Sequence, residues 1–284
     1  MSSYQHSKFF SKKSIENVKD YWNKRPCNLR HSQAEVGTEK YFQEISMRKF
    51  FVEPHLIDFA NFSSLKGKKV LEIGCGLGAC AINFAKAGAE VTAIDLSQKS
   101  IEIAKKNAKS MGVADQIEFM QGNAEELSKF LPEKKYDLIF SFGVIHHSPH
   151  PDVIVDEAKK YLAPDGQFKV MVYYRNSWKV FWILAKYGKF QFWKLSQLIA
   201  HYSEAQTGCP VTYAYSKKSA KKLFESKGYQ VKSIDIDHIF PYRIADYVQY
   251  RYVKVWYFRI LPKSVFRFLE KKFGWHLCLT ATES

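Results

Sequence analysis

The sequence predicts an α/β chain built on a doubly wound, mainly parallel sheet. Three observations predict it. Strand-like and helix-like stretches alternate through residues 67–174, which is the pattern of a parallel sheet with helices on both faces. The first strand, Val70-Leu71-Glu72-Ile73, runs directly into Gly74-Cys75-Gly76-Leu77-Gly78. A second strand, Val91-Thr92-Ala93-Ile94-Asp95-Leu96, closes on an acid seventeen residues after Gly78. A glycine turn that opens a helix, followed by an acid near the next strand end, describes a nucleoside-binding βαβ unit. The glycines let backbone come close to a ligand, and the Asp95 carboxylate can accept hydrogen bonds from ribose hydroxyls.

The elements follow in order. Residues 1–66 read as an amphipathic helical cover, with Phe42, Ile45, Phe50 and Leu56 near helical spacing. Residues 67–174 form the binding core, with strands at 69–73, 90–94, 116–120, 136–141 and 167–174. Between them lie helical stretches at 79–87, 98–110, 124–130 and 151–161. An aromatic insert occupies 175–216, and a core helix and strand occupy 217–236, the helix ending at Gly228. A second insert rich in tyrosine fills 237–274, and 275–284 supplies a terminal strand. The ligand of such a sheet sits at the carboxyl ends of the strands, where the glycine loop lies.

The loop also selects among nucleosides. A dinucleotide fingerprint requires Gly-x-Gly-x-x-Gly, whereas here the spacing is Gly-x-Gly-x-Gly and Ala79 takes the third glycine's place. Glu72 puts negative charge where a pyrophosphate tolerates none. An acidic strand end suits a ligand carrying an ammonium and a sulfonium, and S-adenosylmethionine carries both beside an adenosine.

With these residues, the chain resembles the class I S-adenosylmethionine-dependent methyltransferases, and its core is similar to the small-molecule, ubiquinone/menaquinone-biosynthesis type. Glu72–Gly78 resembles that family's first motif and Val91–Ser97 its second. Gly122-Asn123-Ala124-Glu125-Glu126-Leu127 resembles the third, with Asn123 where Asp is commoner. The run from Tyr136 to His147 resembles the fourth, and Leu162–Phe168 the turn before the fifth strand. The resemblance implies a seven-stranded Rossmann-like sheet with an antiparallel last strand, an N-terminal helical cover over the cofactor, and inserts acting as lids over the acceptor. It implies S-adenosylmethionine as cofactor, S-adenosylhomocysteine as product, and no metal.

For the cofactor it implies Glu72, Gly74, Cys75, Gly76 and Gly78 of the loop, and Asp95 with Leu96 for the ribose. Asn123 and Ala124 fall beside the adenine, Ser141 and Phe142 at the fourth strand's end, and Trp22 in the cover. Residues placed for catalysis are His146 and His147 after the fourth strand, Tyr21, and Tyr174 with Arg175 at the end of the fifth. Arg30, His31, Tyr213, His238, Tyr242 and Arg243 are assigned to the acceptor. Methyl transfer is an in-line displacement, so placing the nucleophile and excluding water are the protein's main tasks.

Lys and Arg outnumber Asp and Glu by 43 to 28, a formal charge of +15. The lysines are spread as pairs such as Lys68-Lys69, Lys105-Lys106 and Lys271-Lys272, with no run of five. A solvated basic surface explains them better than a nucleic-acid track. The family's base-methylating signature, Asp/Asn-Pro-Pro-aromatic, is replaced here by Ser141-Phe142-Gly143-Val144. Five cysteines with no Cys-x-x-Cys pair outline neither a disulfide framework nor a zinc site. Met1–Lys8 has no apolar signal core, and a cytoplasmic setting is expected. Aromatics interleaved with lysines in the inserts leave peripheral membrane contact and homo-oligomer formation open.

A positive cavity closed by aromatics favours a small anionic acceptor, and thiolates or hydrosulfide need no general base. A small thiol or sulfide is therefore the first expectation. O- or C-methylation of a hydroxylated aromatic, quinone precursor or lipid is the second, and a non-catalytic cofactor-binding protein the third.

Overall fold

The computed structural model describes residue 10, residues 13–203 and residues 208–284. The leader reading of Met1–Lys8 and the start of the helical cover lie outside the described residues. In chain order the cover comprises α1 (Ile15–Lys24), α2 (Glu39–Val52) and α3 (His55–Ala60). The core follows as β1 (Lys69–Ile73), α4 (Ala79–Lys86), β2 (Glu90–Asp95), α5 (Gln98–Ser110), β3 (Ile117–Gln121), β4 (Tyr136–Phe142), α6 (Pro151–Lys159) and β5 (Leu162–Tyr174). The remainder is α7 (Trp178–Lys186), α8 (Leu195–Tyr202), β6 (Ala214–Tyr215), α9 (Lys217–Glu225), β7 (Tyr229–Asp237), α10 (Ile244–Tyr247), α11 (Trp256–Arg259), α12 (Lys263–Phe273) and β8 (His276–Glu283).

Helix starts are written in the sequence. Ser14, Thr38, Ser97, Ser177 and Ser216 precede α1, α2, α5, α7 and α9, and each side chain accepts a backbone N–H of the first turn. Such caps satisfy donors that the helix itself leaves unpaired. The helix expected at 124–130 is instead a 3₁₀ turn over Ala124–Lys129, broken at Glu126, where φ is −138°.

The strands run in the order β3-β2-β1-β4-β5-β8-β7. β1 to β5 are mutually parallel, and β8 lies antiparallel between β5 and β7. The sheet has eight strands rather than the seven expected. The extra one, β6, has a simple cause: β4 ends at Phe142 opposite Met171, while β5 continues to Tyr174. β6 pairs in parallel with Tyr173 and Tyr174, occupying the edge that β4 leaves open and satisfying its backbone groups.

Both faces of the sheet are buried, as its apolar strands require. Leu71 and Ile73 of β1 join Ile139 and Val170 in one core, while Val70 joins Val91, Ala93 and Leu138 in the other. The first insert packs Val180, Leu184, Leu195 and Ile199 against Met171, Trp275 and Cys278. The second sends Tyr247 and Tyr250 to the outer side of α2, where the Arg48 guanidinium lies 4.0 and 4.2 Å from their rings. Among the described residues no helix is long and apolar enough to cross a membrane.

Because β8 bridges β5 and β7, its apolar side chains hold the C-terminal third of the sheet together. Leu279 is fully buried there. Leu279→Ala is expected to cost about 2–5 kcal/mol of unfolding free energy in urea denaturation. A loss below about 1 kcal/mol would show that β8 is not integral to the fold.

Candidate functional site

A cavity opens at the carboxyl ends of β1, β2 and β4. β1 has β2 on one side and β4 on the other, so the chain's winding reverses there and leaves a crevice above the strand tips. The glycine loop forms its floor. Gly74 and Cys75 both donate their N–H to the Ile94 carbonyl, at 2.8 and 2.9 Å. Gly74 has φ +80°, and a Cβ there would lie 2.3 Å from a Val144 methyl. Gly76, at φ +53°, would point a Cβ into open space, the cradle that backbone approach by a ligand requires.

Gly78 differs from the other two. It caps α4 at φ +85° and faces Ala104 of α5, so its role is helix packing and it is not on the cavity wall.

Two carboxylates flank the loop. Asp95 Oδ2 accepts the Gly76 N–H and Oδ1 accepts the Ser97 N–H, both at 2.8 Å. This fixes the carboxylate on the wall with a lone pair on each oxygen to spare. Burial pushes its pKa up to about 6 against the pull of those two amides. Glu72 is 3% exposed, lines the same cavity, and its Oε2 has no hydrogen-bond partner among the described residues. Burial pushes the Glu72 carboxyl up to about 8, opposed by the Lys49 ammonium and the Ala81 amide. A buried oxygen without a donor fits a ligand group that brings one, and a cationic donor would favour the ionised carboxylate.

The far end of the cavity is lined by Leu96, Gly122, Asn123 and Ala124. Asn123 Oδ1 already accepts the Glu125 N–H at 3.0 Å, so one lone pair remains for a ligand amine. The cover closes the front. Ile15, Val18 and Trp22 of α1, Cys27 and Asn28 of the following loop, and Ile45 and Lys49 of α2 line it. α1 is tied to the floor where Asn23 Oδ1 accepts from Ser97 Oγ at 2.9 Å.

Lys49, Phe142, Gly143, Val144, His147 and Tyr173 make the remaining wall. His147 Nδ1 lies 2.9 Å from the Val211 carbonyl oxygen. That oxygen can only accept, so this contact favours the tautomer with its proton on Nδ1 and its lone pair on Nε2. Trp22 meets the His147 ring edge-on at 5.3 Å.

Several sequence assignments fall elsewhere. His146 is fully buried behind the wall, its ring 3.9 Å from that of Tyr173, and neither ring nitrogen has a hydrogen-bond partner among the described residues. Tyr21 precedes Trp22 on a helix, where consecutive side chains diverge, so Trp22 faces the cavity and Tyr21 does not. Strand alternation separates Tyr173 from Tyr174 in the same way: Tyr173 lines the wall, and Tyr174 packs against the core on the opposite face. Arg175 is exposed. Ser141 is buried below the floor, its hydroxyl unpartnered among the described residues.

The residues assigned to the acceptor are scattered. Arg30 is exposed and gives its carbonyl to the Tyr250 hydroxyl. His31 lies with Arg48 in a separate cleft beyond α2. Tyr213 packs on Phe10 at 5.0 Å. His238 is buried against His55 and His276. Tyr242 stacks on Phe51, and Arg243 pairs with Asp246 at the surface. The expected lids are not on the wall either: among the described residues it takes no side chain from 175–216 or 237–274. The first insert acts indirectly, through the Val211 carbonyl that orients His147. Lys49 was missed because on α2 it reads as one more basic residue of a polar helix face.

Residues 64–228, more than half of the chain, match the family model described as a methyltransferase domain. The chain belongs to that family. It is a class I S-adenosylmethionine-dependent methyltransferase by family and fold. It is 32% identical over 124 residues to a ubiquinone biosynthesis O-methyltransferase of Klebsiella pneumoniae (strain 342), covering 44% of this chain and 49% of that one. It is 36% identical over 107 residues to the protein of the same name from Actinobacillus pleuropneumoniae serotype 7, covering 37% and 45%. The chain thus spans about half the length of the curated relatives it matches.

Among solved structures it is similar to magnesium protoporphyrin IX methyltransferase from Synechocystis PCC 6803 with bound S-adenosylhomocysteine. The TM-score is 0.60 at 16% identity, over 95% of this chain and 100% of that one. Geranyl diphosphate C-methyltransferase from Streptomyces coelicolor A3(2) gives 0.59 at 12% identity, over 97% and 98%. Both likenesses concern the fold.

The site generates two measurements on the methyltransferase without ligand. Gly74→Ala combines a strained backbone with the Val144 clash and is expected to lower the thermal midpoint by several degrees, corresponding to about 1–3 kcal/mol. An unchanged midpoint would contradict this loop geometry.

Glu72 binds its proton more tightly folded than unfolded. Its contribution to stability is therefore full below its ordinary value of 4.5 and is lost as pH rises through about 8. Over that interval Glu72 is expected to lower stability by about 1 kcal/mol per pH unit relative to Glu72→Gln. Parallel pH–stability curves for the two proteins would refute the burial of a protonated Glu72.

Proposed function

We propose that the methyltransferase transfers the methyl group of S-adenosylmethionine to a small acceptor, and that an oxygen nucleophile on a hydroxylated aromatic is the acceptor class. The cofactor supplies a methyl group on a positively charged sulfur. Asp95 would hold the ribose hydroxyls, Gly76 would admit the amino-acid end, and Glu72 would face the ammonium. Leu96, Asn123 and Ala124 would enclose the adenine.

The observation that carries the acceptor class is the pairing of His147 and Lys49 on one wall. A hydroxyl arrives protonated at neutral pH and needs a base, whose geometry comes before its pKa. His147 has its lone pair on Nε2 because Val211 holds the other nitrogen's proton. The Lys49 ammonium, kept charged beside Glu53 at 3.0 Å, supports the oxyanion left behind. Phe142, Tyr173 and Trp22 offer flat apolar surface and exclude water. The name shared by the sequence relatives agrees with an oxygen acceptor.

A small thiol is the second reading, because the same ammonium would hold a thiolate that needs no base.

Radiolabelled S-adenosylmethionine incubated with pooled catechols, phenols and thiols separates the two. Methylated catechol is expected, with His147→Gln lowering turnover by about 10²–10⁴ at neutral pH. Asp95→Ala should weaken calorimetric cofactor binding by about 1.5–3 kcal/mol. Thioether product, formed equally by His147→Gln, would replace the oxygen reading.

A further inference from the structure

One wall of the cavity conceals a second constellation. Behind Phe142 and Lys49, four side chains converge from three parts of the chain. Glu53 ends α2, His55 begins α3, His238 follows β7 and His276 begins β8. One ligand atom from each of Glu53, His238 and His276 can be chosen so that all lie within 4.8 Å of one another. His55 Nε2 lies 3.0 Å from His276 Nδ1. The ring centroids of His55, His238 and His276 are 4.5–5.5 Å apart.

The surroundings do not require histidines. All three imidazoles are buried, at 6%, 7% and 3% exposure. Asp237, a further carboxylate beside them, is committed to Arg267, Lys271 and the His238 N–H. His238 adopts φ +70°, a conformation that non-glycine residues keep only where the surroundings enforce it. Trp275 N–H enforces it here by donating to the His238 carbonyl at 2.7 Å.

We propose that Glu53, His238 and His276 form a binding site for one divalent first-row transition ion of the zinc or iron(II) kind. Two imidazoles and one carboxylate suit such ions, whereas magnesium and calcium prefer all-oxygen sets. His276 would ligate through Nε2, because its Nδ1 is paired with His55. His55 is then the supporting residue that fixes the ring of a ligand histidine. The ion exchanges with the Lys49 ammonium as the positive partner of Glu53. It lies one side chain behind the acceptor wall, since the Phe142 ring is 5.5 Å from His276 and 5.9 Å from His55. The site is independent of the acceptor's identity.

Cobalt(II) titration of the metal-stripped full chain tests this, with d–d absorbance as readout and zinc as competitor. One equivalent per chain is expected, displaced by zinc. His238→Gln and His276→Gln should each weaken it at least 100-fold, and His55→Gln by about 10- to 100-fold. His201→Gln, in the first insert, should change nothing. S-adenosylhomocysteine binding, measured on every variant, reports folding and the cofactor site separately. Absent cobalt bands, or bands unchanged in folded His238→Gln and His276→Gln, would overturn the site. If those variants fail to fold, X-ray absorption of the zinc-loaded wild-type chain decides: two imidazoles in the coordination shell support it, and fewer overturn it.

Discussion

A single carboxylate joins the parts of this site. Asp95 takes one backbone proton from Gly76 and another from Ser97, and so fixes the glycine loop to the start of α5. Ser97 in turn caps α5 and reaches Asn23 of α1. Cover, loop and strand end are therefore referenced to the same two oxygens. An unsatisfied carboxylate at this depth would be costly. The two amides are what allow it to remain where a sugar can reach it, and they leave its affinity for a proton only moderately raised.

Electrostatically the cavity lining carries both signs. Glu72, whose Oε2 has no donor among the described residues, brings a carboxyl that burial inclines to stay protonated. Lys49, on the same lining and close enough to act on Glu72, brings the positive charge. In the reaction proposed above, a cationic donor would meet the carboxyl and an acceptor of anionic character the ammonium. His147 lies on the same wall as Lys49, and its Nδ1 faces the Val211 carbonyl of the first insert. The insert thus reaches the wall through one backbone oxygen, without lining the cavity.

Much of this was legible in the sequence, and the limits of legibility have physical causes. The glycine loop, Asp95 and the alternating core could be read because backbone conformation and strand–helix period leave local marks. Seven strands were expected and eight were found, because β6 depends on how far β5 outruns β4, which is a matter of register. Trp22 and Tyr21 could not be told apart from composition, and only the helix phase separates them; the same holds for Tyr173 and Tyr174 on a strand. Lys49 and the histidines at 55, 238 and 276 carry no local pattern. Their proximity arises from long-range packing of α2, α3, β7 and β8, to which no spacing rule applies.

The placement of Arg48 has a consequence for how such an enzyme changes its preferences. Its guanidinium is sandwiched by tyrosines of the second insert on the outer side of α2, while the next residue, Lys49, faces the cavity. A rigid helix converts a small rotation imposed from outside into a displacement of the ammonium inside. Drift in that tyrosine layer, at positions no acceptor ever meets, would retune which molecules are accepted. With Lys49 in its proposed role, selectivity would have a handle remote from the chemistry, adjustable while the donor half stays intact.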